Sequence, residues 1–520
     1  MLIVGINKPQ FEYDIHSLVK AFYPEQEVKV ICDKQSKEYC SMNDNTNMYS
    51  SVNTHYSASG EMPDMRITFR ENGIDMEVSK TLSKENGDTQ QIVNTISHDS
   101  EETRPIIKNL LKQLIYRSLS AYLHKELPWG TLTGIRPTKI PMTMLEDGKS
   151  DEEMMKYMKE TYSISEEKGL LSIEIAKSEE QLLSTLHCIQ ENRQDGDSQE
   201  GYSLYVGIPF CPTTCLYCSF TSYPIGAWKT RVSEYLDALE KEIVYTAEAF
   251  KDNILDTVYI GGGTPTTLQP EELERLLGMI EKYFDLSNIQ EYTVEAGRAD
   301  SITREKLKVL KAHNITRISV NPQTMKDETL KCIGRQHTVE QVKEAFSLAR
   351  EEGFDNINMD IILGLPGEVE EDVANTVKEI KALAPDSLTV HSLAVKRASK
   401  LAQWIEENGI STLHNTDETM EIASQAAKEM GMSPYYLYRQ KNMSGNFENV
   451  GYAKPGKAGI YNILIMEEKQ TIAALGPGSI SKVVFAGGRI ERSDNVKDVG
   501  LYIERIDEMI ERKKKLFELK

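Results

Sequence analysis

The stretch YVGIPFCPTTCLYCSF, residues 205–220, decides how this chain is interpreted. An apolar run, YVGI, is followed closely by Cys211, Cys215 and Cys218 in the spacing C-x3-C-x2-C. Such a run predicts a buried strand, and the cysteines then fall in the loop that leaves its end. Three thiolates on one tight loop can hold three irons of a cubane cluster, which ordinarily has four cysteine ligands. The missing fourth ligand leaves one iron open to a reactant.

Two other interpretations of these cysteines stay open from the residues alone. A zinc site would need a fourth Cys or His ligand, and none of the thirty residues after Cys218 is either. Incidental thiols are the second alternative. A disulfide framework is disfavoured, because the chain has seven cysteines, an odd number, and no secretion signal.

Strand-like and helix-like segments alternate regularly over residues 202–398. Helical segments such as 271–284 and 340–350 carry apolar residues at helical spacing. Parallel strands need such crossovers, and near-continuous apolar strands are typical of a sheet covered on both faces. We therefore expect an α/β fold, a partial (β/α)6 barrel. Its candidate strands end near Gly207, Ile260, Glu295, Val320, Leu363 and Val395.

The length of 520 residues predicts two or three domains. Residues 1–190 are expected to form an N-terminal α+β domain with a strand at 27–32, a polar loop at 41–59 and a helix at 106–123. Residues 191–201, ENRQDGDSQEG, are predicted to be a linker. Residues 399–520 are expected to form a C-terminal α+β cap over the open side of the barrel.

The charge and the N-terminus exclude some classes of function. A net charge of −20 argues against a broad nucleic-acid surface, which would need clustered Lys and Arg. The sequence has no apolar run of transmembrane length, and Asn7, Lys8 and Pro9 interrupt any signal-peptide core. We expect a cytoplasmic protein that binds neither nucleic acid nor membrane.

Glycine or polar residues recur at the ends of the later strands, where barrel active sites are built. The segment 261–265, GGGTP, lets backbone N–H groups approach a ligand closely. Glu295 ends the third strand and Gln323 follows the fourth. Asp360 lies inside the apolar fifth strand, where an unpaired carboxylate would be costly, and Arg335 is its expected partner.

Together these segments resemble the oxygen-independent coproporphyrinogen III oxidase (dehydrogenase) family of the radical S-adenosylmethionine (SAM) superfamily. The resemblance covers about 202–398, with a weaker tail to 481. It implies a [4Fe-4S] cluster on the three cysteines and SAM on the open iron. Reductive cleavage of SAM would give a 5′-deoxyadenosyl radical that removes a substrate hydrogen. The motifs that carry the resemblance are YVGIPFCPTTCLYCSF, YIGGGTPT, VEAG, SVNPQ, IGRQHT and MDIILGLPG.

The resemblance also implies roles for individual residues. Tyr205, Gly262 and Glu295 would contact the cluster-bound SAM. The implied reaction converts two propionates of coproporphyrinogen III to vinyls, giving protoporphyrinogen IX for heme biosynthesis. A flavodoxin- or ferredoxin-type protein would supply electrons to a monomeric enzyme. Family members can hold a second SAM. The residues that would contact it here are Tyr217, Gly263, Thr264, Gln323, Arg335, Asp360 and Ala394.

Some features depart from the family's oxidases. Phe220 stands where those oxidases often have a fourth cysteine, and in this the chain is similar to related heme chaperones. The chaperones share a His-Asn-x-x-Tyr-Trp element, whose nearest match here, YNILIM at 461–466, lacks the His, Tyr and Trp. The long N-terminal region indicates a distinct branch. The alternatives are a heme-trafficking chaperone and another radical reaction on a tetrapyrrole, such as methyl transfer or ring opening.

A flexible tetracarboxylate substrate calls for cations and flat apolar surfaces in its pocket. Lys396 and Arg397 follow the sixth strand, and 435–441, YYLYRQK, combines aromatic rings with charge. His391 lies within the sixth strand. These residues are the pocket candidates. Core packing is the alternative for the aromatic rings, and a structural hydrogen bond is the alternative for His391.

Overall fold

The strands expected between residues 202 and 398 are present in a computed structural model of the chain. The structure describes residues 1–24, 26–32, 63–78, 92–99, 101–134, 136–188, 200–396, 399–409, 413–439 and 447–519. The predicted loop 41–59 and most of the predicted linker 191–201 lie outside these ranges. The chain divides into two compact units, Met1–Ile173 and a larger one that begins at Glu174. The finer boundaries at 190, 202 and 399 stay proposals.

In the first unit the described strands form one mixed sheet in the order β2-β1-β3-β4-β5. Apolar side chains of α1 and α2, including Ile15 and Leu114, pack with the sheet residues Val4 and Ile67 in its core. The strand expected at 27–32 and the helix expected at 106–123 are confirmed. The elements are β1 (Leu2–Ile6), α1 (Glu12–Phe22), β2 (Val28–Cys32), β3 (Met65–Arg70), β4 (Gly73–Val78), β5 (Ile92–Ser97), α2 (Arg104–Leu123), α3 (Lys139–Glu146) and α4 (Asp151–Tyr162). Helix α5 (Glu166–Leu183) contains the boundary between the two units.

In the larger unit, strands and helices alternate as the sequence predicts. The strands are β6 (Gly201–Ile208), β7 (Phe210–Cys211), β8 (Tyr223–Pro224), β9 (Ile254–Gly262), β10 (Glu291–Gly297), β11 (Arg317–Val320), β12 (Ile357–Leu363), β13 (Ser387–Ser392), β14 (Ser433–Tyr438), β15 (Asn449–Ala453), β16 (Thr471–Leu475), β17 (Ile480–Val484) and β18 (Ile490–Asp494). The helices are α6 (Val232–Ala249), α7 (Pro270–Tyr283), α8 (Arg304–Ala312), α9 (Asp327–Cys332), α10 (Val339–Glu351), α11 (Glu370–Leu383), α12 (Lys400–Asn408), α13 (Asp417–Glu429), α14 (Ile460–Glu467), α15 (Val499–Glu504) and α16 (Ile506–Phe517).

The six expected barrel strands are neighbours in one parallel sheet, in the order β13-β12-β11-β10-β9-β6. Because helices connect consecutive strands, the carboxyl ends of all six meet at one edge. The sheet is open, since β14 and β18 are its outer strands. This is the arrangement of a partial barrel, and the predicted α/β class is confirmed.

Helix α10 illustrates how the local sequence sets a crossover. Thr338 accepts a hydrogen bond from the backbone of Gln341, whose side chain accepts from the backbone of Thr338, so the helix begins with a capping box. Its buried residues are the predicted apolar face: Val342, Ala345, Phe346 and Ala349. None of the described helices is long and apolar enough to cross a membrane.

The C-terminal region extends the main sheet at both edges. Strand β15 pairs antiparallel with β13, whereas β16 pairs parallel with β6. Helix α16 is fastened to α6 by a fully buried ion pair, with Lys513 Nζ 2.6 Å from Glu242 Oε1. The same Glu242 accepts hydrogen bonds from the Tyr502 hydroxyl and from the backbone of Gly476, next to β16. The C-terminal helices thereby hold the strand that flanks β6.

Candidate active site

A cavity of about 460 Å³ opens at the carboxyl ends of the parallel strands. It brings together segments separated by more than 200 residues, from the cysteine loop to helix α14. All the cluster and SAM residues expected from the sequence except Tyr205 line it. They are Cys211, Cys215, Tyr217, Cys218, Gly262, Gly263, Thr264, Glu295, Gln323, Arg335, Asp360 and Ala394.

The cysteine loop is tied to the barrel by its backbone. Leu216 donates its N–H to the Ile333 carbonyl at 2.9 Å, and Leu401 donates to the Leu216 carbonyl at 3.0 Å. Cys211 and Cys215 are buried, whereas Cys218 is half-buried. Each sulfur has a polar neighbour. The Sγ atoms of Cys211, Cys215 and Cys218 lie 3.4 Å from Thr264 Oγ1, 3.9 Å from Arg298 Nη1 and 3.9 Å from Ser222 Oγ, respectively.

The donor set of this loop fits an iron–sulfur cluster. Burial raises the pKa of the Cys211 thiol to about 11 and also raises the pKa of Cys218. Iron would displace the protons of these two thiols on binding. In the described part of the chain, no three His, Cys, Asp or Glu side chains converge to hold a single ion. A cubane does not need such convergence, because each cysteine binds a different iron.

The glycine turn at the end of β9 is held by backbone hydrogen bonds. Gly263 and Thr264 donate their N–H groups to the carbonyls of Ile208 and Phe210, at 2.7 Å each. A Cβ at Gly263 would lie 2.5 Å from the Phe210 carbonyl oxygen. Gly262 has φ +104°, a conformation that favours glycine. Glycine is needed here because the turn packs directly on the backbone that leads into Cys211.

Glu295 lies on the cavity wall and is held by Tyr259, whose hydroxyl donates a hydrogen bond to its carboxylate. Burial raises the pKa of Glu295 to about 7, and the charge of Asp360 acts in the same direction. Tyr205 packs behind this pair. Its ring stacks on Tyr259 and Tyr461, with centroids 6.3 and 6.1 Å away, while Tyr259 and Tyr461 stack at 4.5 Å.

The expected Arg335–Asp360 pair is wrong. Arg335 donates to the Asn321 carbonyl at 2.5 Å and to the Tyr217 hydroxyl at 3.2 Å. Asp360 Oδ1 accepts from Asn358 at 2.6 Å, and its Oδ2 lies 3.8 Å from His391 Nε2.

Strand geometry explains why Asp360 contacts Asn358 and His391. Asn358 precedes Asp360 by two residues on the same face of β12, and His391 lies on the adjoining β13. Although burial alone would raise it, the pKa of Asp360 is lowered, chiefly by His391. Arg335 instead joins the cysteine loop to the end of β11.

Several buried polar atoms on the cavity wall have no hydrogen-bond partner within the described chain. They are Ser319 Oγ, Asn321 Oδ1, Gln323 Oε1, Arg335 Nε and Asn449 Nδ2. Buried polar groups are normally paired, so this wall offers donors and acceptors to a polar ligand or to water. Gln323 also has φ +70°, held by hydrogen bonds between its backbone and strand β12.

The pocket candidates divide between the cavity and the core. Lys396, His391, Tyr436 and Tyr438 line the cavity, whereas Tyr435 does not. Tyr435 and Tyr436 belong to one core cluster, and Tyr438 packs against it. The Tyr438 hydroxyl lies 3.4 Å from His391 Nδ1. Arg397, Gln440 and Lys441 lie outside the described residues.

Sequence reasoning missed other lining residues. Phe220 is 70% exposed at the cavity wall, with Lys396 Nζ 5.4 Å from the centre of its ring. Arg298 reaches the cysteine loop, and its position directly after VEAG was the available signal. Tyr461 and Met466 come from the YNILIM segment, which forms the cavity-facing helix α14.

Comparison with known proteins identifies relatives. Residues 205–380 match the radical SAM superfamily. The oxygen-independent coproporphyrinogen-III oxidase-like protein HemZ of Bacillus subtilis is 42% identical over 79% of this chain and 81% of its own length. The heme chaperone HemW of the same organism is 32% identical over 59% of this chain and 76% of its own.

Two further similarities involve Escherichia coli. Its oxygen-independent coproporphyrinogen III oxidase is 33% identical over 37% of this chain and 42% of its own. The crystal structure of coproporphyrinogen III oxidase (HemN) from that organism superposes with a TM-score of 0.47 and 24% identity, over 60% of this chain and 70% of that one. From the HemZ similarity and the superfamily match, the chain belongs to the oxygen-independent coproporphyrinogen-III oxidase-like family of radical SAM proteins, whose cofactors are a [4Fe-4S] cluster and SAM.

Proposed function

We propose that this protein is a radical SAM oxidoreductase that converts two propionates of coproporphyrinogen III to vinyls. One observation carries the proposal: a single cavity is lined by the three-cysteine loop, by unpaired polar atoms and by an aromatic wall with a cation. A cluster, a nucleoside cofactor and a flat carboxylate-bearing substrate would each find complementary groups there.

The chain's own residues would bind and orient the cofactors. Cys211, Cys215 and Cys218 would hold the cluster and leave one iron for SAM. Glu295, fixed by Tyr259, would accept a hydrogen bond from SAM, and Gln323 and Asp360 would line the adjoining polar wall. When bound, the cofactors supply a 5′-deoxyadenosyl radical.

The substrate would lie against the aromatic side of the cavity. Tyr436 and Tyr438 stack with centroids 6.1 Å apart, and Phe220 and Lys396 present a ring and a cation together. Each propionate would lose one β-hydrogen atom to the radical, then carbon dioxide and one electron, leaving a vinyl group. A one-electron acceptor would take that electron, and a flavodoxin- or ferredoxin-type donor would reduce the cluster.

A heme-binding role is the second candidate, and Phe220 favours it. This residue occupies the position of the oxidases' fourth cysteine and exposes a flat apolar ring at the cavity wall. Similarity to heme chaperones over 59% of the chain supports the same alternative. In that case the cavity would hold heme without decarboxylating it.

An anaerobic assay with coproporphyrinogen III, SAM and a reductant distinguishes the two. The oxidase predicts divinyl product, carbon dioxide and 5′-deoxyadenosine, all absent with Cys215→Ser. Stable binding of heme without vinyl product would overturn the oxidase and support the chaperone. Methylated or linear tetrapyrroles would indicate another radical reaction and would also overturn it.

A further inference from the structure

Arg298 connects the end of strand β10 to the cysteine loop. The residue is only 3% exposed, and all three of its guanidinium nitrogens are engaged. Nε and Nη2 bind the two carboxylate oxygens of Asp300, at 2.9 and 2.6 Å. Nη1 donates to the carbonyl and the hydroxyl of Thr213, at 3.1 and 2.7 Å, and lies 3.9 Å from Cys215 Sγ.

The orientation of this guanidinium is fixed from both sides. The two-pronged contact with Asp300 uses the planar fork of arginine, which lysine does not have. The turn Ala299–Ser301 holds Asp300, and Ser301 donates to the Arg298 carbonyl at 2.7 Å. The third nitrogen is thereby directed at the loop between Cys211 and Cys215.

From this geometry we propose that Arg298 is a positioning residue that holds the cysteine loop and raises the reduction potential of the bound cluster. The inference rests on the proposed cluster ligands, not on the identity of the substrate. Reduction adds one electron from an external one-electron donor, and no bond within the protein forms or breaks. The cluster becomes more negative by one charge, so a buried cation next to Cys215 stabilises the reduced form.

Asp300 should act in the opposite direction. Its carboxylate neutralises Arg298 and lies 3.5 Å from His337 Nδ1. Asparagine at this position would keep the shape of the side chain but remove its charge, which would leave the arginine cation uncompensated. The two residues therefore predict shifts of opposite sign, which loosening of the turn alone would not produce.

The test is an anaerobic redox titration of the full-length, reconstituted protein without SAM or substrate. The electron paramagnetic resonance signal of the reduced cluster measures the extent of reduction at each potential. In Arg298→Met the ratio of reduced to oxidised cluster at a fixed potential should fall at least tenfold, which corresponds to a midpoint about 59 mV lower for a one-electron couple. Asp300→Asn should move the midpoint upward. The midpoint potential of Arg298→Lys should lie between those of Arg298→Met and the unmodified protein. The control Arg275→Met removes a surface arginine paired with Asp237 and should leave the midpoint unchanged.

Iron and sulfide analysis must show equal cluster content before midpoints are compared. If Arg298→Met does not retain the cluster, Asp300→Asn and Arg298→Lys decide by the sign of their shifts. Equal midpoints in all variants, or shifts of one sign throughout, would overturn the proposal. If the substrate assay fails while the variants' midpoints shift as predicted, the decarboxylase function is overturned and the role of Arg298 stands.

Discussion

The Tyr259 hydroxyl donates a hydrogen bond to the Glu295 carboxylate, and this pair places a titratable group on the cavity wall. Burial raises the pKa of Glu295 to about 7, whereas Tyr259 and the Gly262 backbone oppose that rise. Near neutral pH the cofactor-free protein is therefore a mixture of protonated and ionised Glu295. Binding of SAM through this residue should depend on pH for the same reason.

Glu295→Gln should remove a pH-dependent part of the stability. Because the folded pKa lies above the unfolded one, the contribution of Glu295 is fully present below about pH 4.5 and is lost as pH rises through 7. Relative to the variant, the unmodified protein should lose about 3 kcal/mol of unfolding free energy across that window. Urea unfolding of cofactor-free protein at several pH values measures this.

Tyr259→Phe serves as the matched variant in that experiment. It removes a hydrogen bond that lowers the pKa of Glu295, so the loss of stability should extend to higher pH. Parallel curves of unfolding free energy against pH for all three proteins would contradict this assignment.

Cys215→Ser should abolish assembly of the cluster, because two thiolates cannot hold a cubane in place of three. Iron content and the visible absorbance of reconstituted protein measure the loss. Cys332→Ser is the matched control, since this exposed thiol lies outside the cavity lining, and it should keep both. Full retention of iron in Cys215→Ser would contradict the ligand assignment.

Lys396→Met should weaken use of a tetrapyrrole carboxylate while leaving the cluster in place. Loss of a charge-assisted contact of roughly 1.5–3 kcal/mol corresponds to an increase in KM on the order of tenfold or more. Phe220→Ala should act in the same direction by removing the ring beneath the cation. Steady-state kinetics with coproporphyrinogen III measure both, and Lys396→Arg should recover most of the effect. An unchanged KM in both variants would contradict the proposal that the substrate binds against Lys396 and Phe220.

Lys513→Met should destabilise the larger unit by about 3–5 kcal/mol, because it leaves the charge of Glu242 buried and unpaired. The double variant Lys513→Met with Glu242→Leu should recover much of that loss. Lys381→Met breaks an exposed pair with Glu429 and should cost less than about 1 kcal/mol. Chemical denaturation compares the three, and equal losses for both single variants would contradict the role of burial.

The barrel strands were predictable because their apolar pattern and the helical spacing between them lie in the local sequence. Strands such as β12 are near-continuous apolar runs. Because the strands are parallel, the side chains at their carboxyl ends lie at one edge of the sheet for any conformation of the loops. The cysteine loop was predictable for the same reason, since its three ligands lie within eight residues.

Long-range partners were not predictable. The Arg335–Asp360 expectation failed because proximity on one rim does not say which way a loop directs its guanidinium. Helix α14 lines the cavity and precedes β16, which returns to pair with β6, and no periodicity near residue 461 indicates that pairing. The contact of Arg298 with Thr213 and Cys215 spans more than 80 residues, and the sequence near residue 298 does not indicate it.

The most direct test of the account is the electron paramagnetic resonance spectrum of the reduced, reconstituted protein as SAM is added. Three cysteine ligands with one open iron predict a spectrum that changes and saturates at one SAM per cluster. A spectrum unaffected by SAM, or a protein that takes up zinc and no iron, would contradict the account.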